Sequence, residues 1–461
     1  MRRRWICLPA ALLLAALFAP AYADVEISKM SEVVDSFTLG IDLNTFYRVD
    51  SQPYFGLRAG EFNPGLPTNA DTGATNTNFG EVFANVRLTA GKDVGWTDLM
   101  AQVGFFYAQT VDQDVYTLFK DEHQIGVNQA WIEFAQLFDR KIGVRVGRQD
   151  IRIEKWFLVA DGGTQEAAGW LPYVASFPMA VVVNAEFEPL TVTAFWARPE
   201  FNTGDPFGFF TSTGRENDDV DLMGINLHWA LAENAYLYGG YYRTFDESEN
   251  VFAAGGPPYA GDDLNVFDIG GELTLMDALT LEGEFAYQTG DDDFRNLDNR
   301  AYAWFGSAAY QFGGRYAPYL RGMYVFYSGD EDPNDGDMEA WNPFFTDFVG
   351  WNRWVQGEQT AEVWLVQTNK EVAIAEVGFT PIEPMTVSLH YLKHWIEEKG
   401  SFGTTSDNWG DEVNLFVDYT VNDHLFAHFG TGFVIPDDAA EEVAGNDKTA
   451  YFAQLWLAFY L

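Results

Sequence analysis

The feature that most limits the fold of this chain is an alternation of apolar and polar residues, repeated in segments of roughly ten residues. Within 37–43 every second residue is apolar. Within 82–88 the apolar residues share one face, while Glu81 and Arg87 fall on the other. Because successive side chains of a strand point to opposite faces, each segment predicts a strand with an apolar environment on one side and water on the other.

Eighteen segments between residues 36 and 461 follow this pattern, and their connections alternate between long and short. An even strand number with loops segregated by length predicts an all-β fold, a transmembrane antiparallel β-barrel of about 18 strands of the outer-membrane type. Open sheet edges do not persist in hydrocarbon, so the sheet must close. The short turns include 138–140, 188–189, 232–234, 276–278 and 421–423, and the long loops include 50–78, 152–178, 199–218, 245–263 and 329–369.

The start of the chain predicts secretion. Arg2, Arg3 and Arg4 precede an apolar run over 5–18 and the small-residue cleavage site 21–23, which is typical of a signal peptide over 1–23. A short periplasmic segment, 24–35, and a single barrel, 36–461, follow. We therefore expect the outer membrane of a Gram-negative bacterium, with lipid and lipopolysaccharide as surroundings and both chain ends periplasmic. The single cysteine, Cys7, lies in the signal peptide, so cysteine sites are excluded from the remainder.

The formal net charge of −41 is concentrated in the long connections. The longest, 329–369, carries nine acidic residues and only Arg353 as a basic one. One interpretation is solvation and repulsion of other acidic surfaces. The other is divalent-cation binding, and the sequence offers hard oxygen ligands for a structural Ca²⁺. These ligands are Asp330, Asp332, Asp335 and Asp337.

Strand parity also predicts the wall of the lumen. The acidic candidates outnumber the basic ones, which favours cations or neutral polar solutes, although pairing across strands would reduce the net field. The acidic candidates are Asp42, Glu81, Glu133, Glu186, Asp268, Glu272, Glu282, Glu284, Glu376, Glu412 and Asp418; the basic candidates are Arg48, Arg87, Arg145 and Arg321.

Arg148 breaks this parity, because it falls in the lipid-facing set of its strand. A lipid-facing arginine at mid-bilayer costs about 2–4 kcal/mol. We therefore predict a β-bulge near Gly147 that turns Arg148 inward, forming a basic cluster with Arg145 and Arg152. A position near the outer rim, within reach of headgroups, is the alternative.

Three patches of the sequence resemble the alginate-export family of outer-membrane barrels. They are Val-Gly-Arg-Gln-Asp at 146–150, the acidic run 327–337 followed by Trp-Asn-Pro-Phe-Phe at 341–345, and 410–415 with 430–433 and 436–439. The resemblance implies an 18-stranded monomeric barrel that conducts a polar polymer or a smaller solute. It also implies a basic constriction, to which the arginines at 48, 87, 145, 148 and 321 would contribute.

Two functions follow. The first is a passive channel for small hydrophilic solutes, neutral or cationic; the second is export of an anionic polysaccharide through a basic constriction. We expect no enzyme, since no nucleophile elbow or phosphate loop is present, and the acidic charge opposes nucleic-acid binding. Metal binding by His390, His394, His424 and His428 would need ligands from neighbouring strands, because strand residues four apart are ~13 Å distant. Loop 329–369 is the predicted constriction, as either a gate or a cap.

Overall fold

The computed structural model describes residues 34–56, 76–112, 123–160, 162, 176–199, 220–246, 262–292, 297–332, 334–345, 356–360, 367–401 and 403–461. The predicted signal peptide, 1–23, lies outside these residues.

Eighteen long antiparallel strands form one closed barrel, which confirms the predicted fold. The alternation continues over the full length of the strands because each separates an apolar exterior from a polar lumen. The strands are β1 Ser36–Ser51, β2 Asn76–Asp93, β3 Asp98–Asp112, β4 His123–Gln136, β5 Ile142–Gln149, β6 Phe177–Phe187, β7 Leu190–Arg198, β8 Val220–Ala232, β9 Ala235–Asp246, β10 Asp262–Leu275, β11 Leu279–Asp292, β12 Leu297–Gln311, β13 Tyr319–Tyr327, β14 Lys370–Ile382, β15 Met385–Ile396, β16 Asn408–Asn422, β17 Leu425–Pro436 and β18 Ala450–Tyr460.

Each strand pairs with the next in sequence, and β18 closes the barrel by pairing with β1, from Asp42 opposite Tyr460 to Ser51 opposite Tyr451. A two-residue strand, Asp337–Met338, lies parallel to the start of β12. The described helices are short: α1 spans Leu137–Arg140, α2 spans Asp438–Ala444, and 3₁₀ turns cover Pro53–Gly56 and Lys399–Ser401. Among the described residues, no helix is both long and apolar enough to span a membrane.

The outer surface of the strands is apolar. Ile125, Ile132 and Ile269 are 76%, 51% and 61% exposed, values typical of side chains that contact lipid rather than a protein core. Aromatic side chains gather at the end of the barrel that carries the short turns, where Trp96 and Phe138 are 65% and 77% exposed. A girdle of aromatic side chains is typical of the level of the lipid headgroups.

The strand ladders are irregular near Gly147, but the extra residues belong to the neighbouring strands. In β4, Asn128 is inserted where β3 pairs with β4, and both Asn128 and Gln129 are buried. Between β5 and β6, the register shifts after Gly147, and β6 supplies the additional residue near Pro178. Gly147 itself has φ +123°, and a Cβ atom there would lie 2.2 Å from the carbonyl oxygen of Ala130, so only glycine fits.

The predicted inward turn of Arg148 is therefore wrong. Arg148 lies opposite Ala130, which is exposed on the outer face, and residues directly opposite in an antiparallel pair share a face. Gln149, the last residue of β5, is buried on the lumen side, so the alternation of β5 continues unbroken. Because Arg148 is one residue from the strand end, its outward position is compatible with the rim of the membrane.

Two chain segments fold into the lumen. The crossing segment, 151–160, follows β5, and the inner part of the acidic loop, 341–345 and 356–360, lies between β13 and β14. The two segments meet, since the amide nitrogen of Ala160 donates to the carbonyl oxygen of Phe345 at 2.7 Å and that of Phe345 donates to Leu158 at 3.0 Å. The barrel is therefore partly filled by its own long connections.

Candidate functional site

The tip of the crossing segment binds the wall formed by β10 and β11. Lys155 Nζ lies 2.6 Å from Glu272 Oε2 and 3.0 Å from Glu282 Oε2, and the two carboxylates occupy directly paired positions. Burial lowers the pKa of Lys155, but the hydrogen bonds to Glu272 and Tyr236 outweigh it, so this pKa is raised. Lys155 is thus a fixed cation that holds together two carboxylates which would otherwise repel each other.

A second polar contact attaches the crossing segment to β8. Glu154 accepts hydrogen bonds from Asn226 Nδ2 at 2.6 Å and from His228 Nδ1 at 3.2 Å. The position of this segment is therefore set by charged contacts with two parts of the wall.

Apolar side chains anchor the same segment. Phe157 packs its ring against Phe305, Tyr327 and Trp341, with centroid distances of 5.3, 5.9 and 6.3 Å. Phe157 is 2% exposed, and burying such a side chain stabilises by roughly 1.5–3 kcal/mol. The contacts span β12, β13 and the acidic loop, so the segment bridges the lumen.

The four arginines predicted to face the lumen are each paired with a carboxylate. Arg87 lies 2.9 Å from Asp42, Arg145 lies 2.7 Å from Glu133, and Arg321 lies 3.4 Å from Glu376. Arg48 lies 3.0 Å from Asp50 and 2.9 Å from Glu358. Pairing across strands for Arg87, Arg145 and Arg321, and with β1 and the acidic loop for Arg48, therefore reduces the field of the basic wall.

Part of the predicted basic cluster acts on the buried carboxyl group of Asp150. Burial raises the pKa of Asp150, while the positive charges of Arg152, Arg145 and Arg87 act to lower it. The charges of three arginines therefore act on one buried carboxylate. Arg148 is left on the outer face, and Arg48 and Arg321 belong to other parts of the wall.

Residues 356–360 of the acidic loop form a buried polar contact with β1, β16 and β18. Glu412 accepts hydrogen bonds from the backbone nitrogens of Gln359, at 3.1 Å, and Thr360, at 3.0 Å. Glu358 binds Arg48, whose guanidinium also donates to Gln454 Oε1 at 3.0 Å. The loop thus covers this patch of wall.

Several predicted pore-lining carboxylates are buried. Glu412 is fully buried under the acidic loop, Glu81 is 1% exposed, and Glu284 is 5% exposed and accepts a hydrogen bond from Tyr238. Glu133, Glu272 and Glu282 retain partly exposed side chains. Only the second group is in direct contact with open water.

The predicted calcium ligands do not converge on one ion. Asp332 and Asp335 accept hydrogen bonds from backbone nitrogens two residues onward, and Asp337 lies 3.1 Å from Arg300. Burial and the negative charges of Asp335 and Glu339 raise the pKa of Asp330. Within the described part of the chain, no group of three or more histidine, aspartate or glutamate side chains is placed to hold a metal ion.

The lumen keeps an open cavity of about 840 Å³ at the short-turn end. It lies against β11 to β18 and contains the Arg321–Glu376 pair together with Asp418, His390 and His428. Its size falls in the range of small-molecule sites.

The family model for alginate export matches residues 38–454. The chain belongs to the alginate export family. No protein with a curated description matches the sequence. Among solved structures, a BenF-like porin from Pseudomonas fluorescens Pf-5 is 13% identical with a TM-score of 0.61, covering 93% of this chain and 99% of that one. OccAB1 of Acinetobacter baumannii is 12% identical with a TM-score of 0.58, covering 93% and 97%. At these identities the likeness establishes the fold of outer-membrane porins and nothing finer.

In this alginate export family barrel, the sequence patches that suggested the family mark the inner segments. The patch 146–150 leads into the crossing segment, and 341–345 is the part of the acidic loop that meets it. Sequence parity found the wall residues, but it missed Glu154, Lys155 and Phe157. The sequence did contain a signal for these buried residues. Ile151, Ile153 and the apolar run 157–159 lie in a connection, where polar residues are usual.

Proposed function

We propose that this alginate export family barrel is an outer-membrane channel through which small hydrophilic solutes, neutral or cationic, diffuse passively. The observation that carries the proposal is the charge balance of the described lumen. Each arginine predicted for the wall is neutralised by a carboxylate, and further carboxylates remain. Among the partly exposed side chains of the lumen, the acidic ones are Asp42, Glu133, Glu154, Glu272, Glu282 and Asp418, and the basic ones are Arg87, Arg145, Arg152 and Lys155.

A surplus of fixed negative charge in a narrow aqueous path raises the local concentration of cations and lowers that of anions. The crossing segment and the acidic loop supply the narrowing, because both occupy the lumen. Together they support passage of small solutes and rejection of bulky ones. We place the chain ends and the short turns in the periplasm, with the barrel a monomer surrounded by lipid and lipopolysaccharide.

The test is the reversal potential of the purified protein in a planar bilayer across a tenfold KCl gradient. We expect a cation preference that weakens in concentrated salt, because exposed charges are screened over about 8 Å at physiological ionic strength. Liposome swelling with neutral sugars of increasing size measures the size limit. A clear anion preference would contradict the proposal.

The second candidate is export of an anionic polysaccharide. It is favoured by the family and by the three arginines whose charges act on Asp150. A polyuronate added on one side of the bilayer separates the two candidates. If the polyuronate reduces the conductance, and this reduction disappears when Arg87 and Arg145 are both changed to glutamine, the result favours the polysaccharide. If the conductance does not change, the result favours small solutes.

A further inference from the structure

The cavity at the short-turn end combines a partly exposed carboxylate with an aromatic wall. Phe416, Phe426 and Trp456 line it, and the rings of Phe426 and Trp456 lie 5.0 Å apart in an edge-on arrangement. The side chain of Asp418 also lines it and is 39% exposed. An aromatic wall beside a carboxylate is the chemistry that holds organic ammonium ions, because the ring faces and the carboxylate both attract positive charge.

The hydrogen bonds of the wall orient the His428 ring against Asp418. Arg48 can only donate, so its 3.0 Å contact identifies the carbonyl oxygen of Gln454 and turns the amide nitrogen toward His428 Nε2, at 3.5 Å. His428 Nε2 is therefore an acceptor, and the proton lies on Nδ1, which donates to Asp418 Oδ1 at 2.7 Å. A neutral imidazole in this tautomer donates to Asp418 without cancelling the charge of the carboxylate.

The other ionisable groups of the cavity do not cancel that charge. Arg321 is matched by Glu376, which also accepts a hydrogen bond from Tyr319 at 2.6 Å. His390 has a buried Nδ1 atom with no partner among the described residues, which suits a neutral ring, since an unpaired N–H of a charged ring is costly. The remaining charged side chain at the cavity, Asp423, is acidic as well.

We propose that this cavity binds small organic ammonium cations, with Asp418 as the counter-ion and the rings of Phe426 and Trp456 as the apolar wall. The inference rests on the proposed channel function and names the solute class for one site within it. Such a site slows the passage of a bound solute and selects alkylated amines over inorganic cations of the same charge.

The experiment measures binding without relying on conduction. Isothermal titration calorimetry on the full-length protein in an uncharged polyoxyethylene detergent compares choline with its neutral isostere 3,3-dimethyl-1-butanol. We expect choline to bind and the isostere to bind at least about tenfold more weakly, because only choline carries the charge that Asp418 and the rings recognise. Equal binding of the two compounds overturns the proposal.

Two variants localise the site. Asp418→Asn keeps an acceptor for His428 but removes the charge, and we expect the Kd for choline to rise about tenfold. Asp277→Asn is the matched control, because Asp277 lies in a turn at the same end, outside the cavity, with a φ of 55° that asparagine also adopts. An unchanged Kd in Asp418→Asn, or an equal rise in both variants, rejects this site.

The aromatic wall has its own pair of variants. Phe426→Leu is expected to raise the Kd several-fold, whereas Phe429→Leu, on the outward face of the same strand, leaves it unchanged. Folding of every variant is checked by heat-modifiable migration on electrophoresis. A cation-preferring channel that does not bind choline defeats only this inference, while choline binding in a channel without cation preference defeats only the proposed function.

Discussion

Removing the ring of Phe157 should release the crossing segment. Phe157→Ala deletes a side chain that is 2% exposed and packs against three aromatic rings. Such a substitution costs about 3–5 kcal/mol through lost transfer energy and the cavity left behind. Because the ring anchors a connection and not a barrel strand, most of this cost weakens the binding of the crossing segment inside the lumen.

The size of the effect follows from that energy. A loss of about 4 kcal/mol raises the equilibrium constant for displacement of the segment by about three orders of magnitude. The contacts of Lys155 and the backbone contacts of Leu158 with Phe345 remain in the variant. We therefore expect the crossing segment to leave its position transiently and not permanently. Single-channel recordings should therefore show more frequent and longer visits to higher conductance.

Phe83→Ala is the control for Phe157→Ala. Phe83 is also 2% exposed and stacks on Phe106, but it belongs to a separate buried cluster beside β1 and β2. It should lower stability by a comparable amount without the conductance excursions. If the two variants give the same recordings, the crossing segment does not limit the current.

Three further results are expected. Lys155→Met leaves Glu272 and Glu282 uncompensated, so the reversal potential in a KCl gradient should shift toward stronger cation preference, and Glu282→Gln added to it should restore the original value. Because burial raises the pKa of Asp150, folding favours the neutral form of this carboxyl group, and cation preference should fall as pH drops through the raised pKa. The variant Asp150→Asn should lack that part of the pH dependence and should not lose stability at pH 7. Gly147→Ala should reduce the folded fraction in electrophoresis, because its Cβ would meet the β4 backbone; an unchanged fraction would falsify the claim that only glycine fits.

The barrel itself was predictable because a strand between lipid and water must alternate, and the alternation is visible in each segment separately. The lumen-facing positions of Arg48 and Glu282 followed from the same parity. Parity also placed Arg148 on the outer face, where it lies. The inward turn predicted from the cost of a mid-bilayer arginine was wrong, because the alternation within β5 does not show that Arg148 lies one residue from the strand end.

The interior of the lumen was less predictable for a different reason. Lys155 meets Glu272 across 117 positions of sequence, and Glu358 meets Arg48 across 310. Such contacts depend on the path of a connection through space, which residue spacing does not define. The buried state of Glu412 is a consequence, since parity correctly placed it on the lumen side but gave no sign of the loop that covers it.

The junction of β1 and β18 is joined by side chains as well as by backbone. On the lumen side, Trp456 Nε1 donates to Asn44 Oδ1 at 3.1 Å and Arg48 binds Gln454, while Leu461 and Ile41 exchange backbone hydrogen bonds at the short-turn end. The junction of β1 and β18 is therefore not a weak point of the barrel, and the chain ends do not have to lie there. A circular permutant, with the two ends fused and new ends opened at the exposed β2–β3 turn near Gly95, should insert as the same barrel with the same lumen.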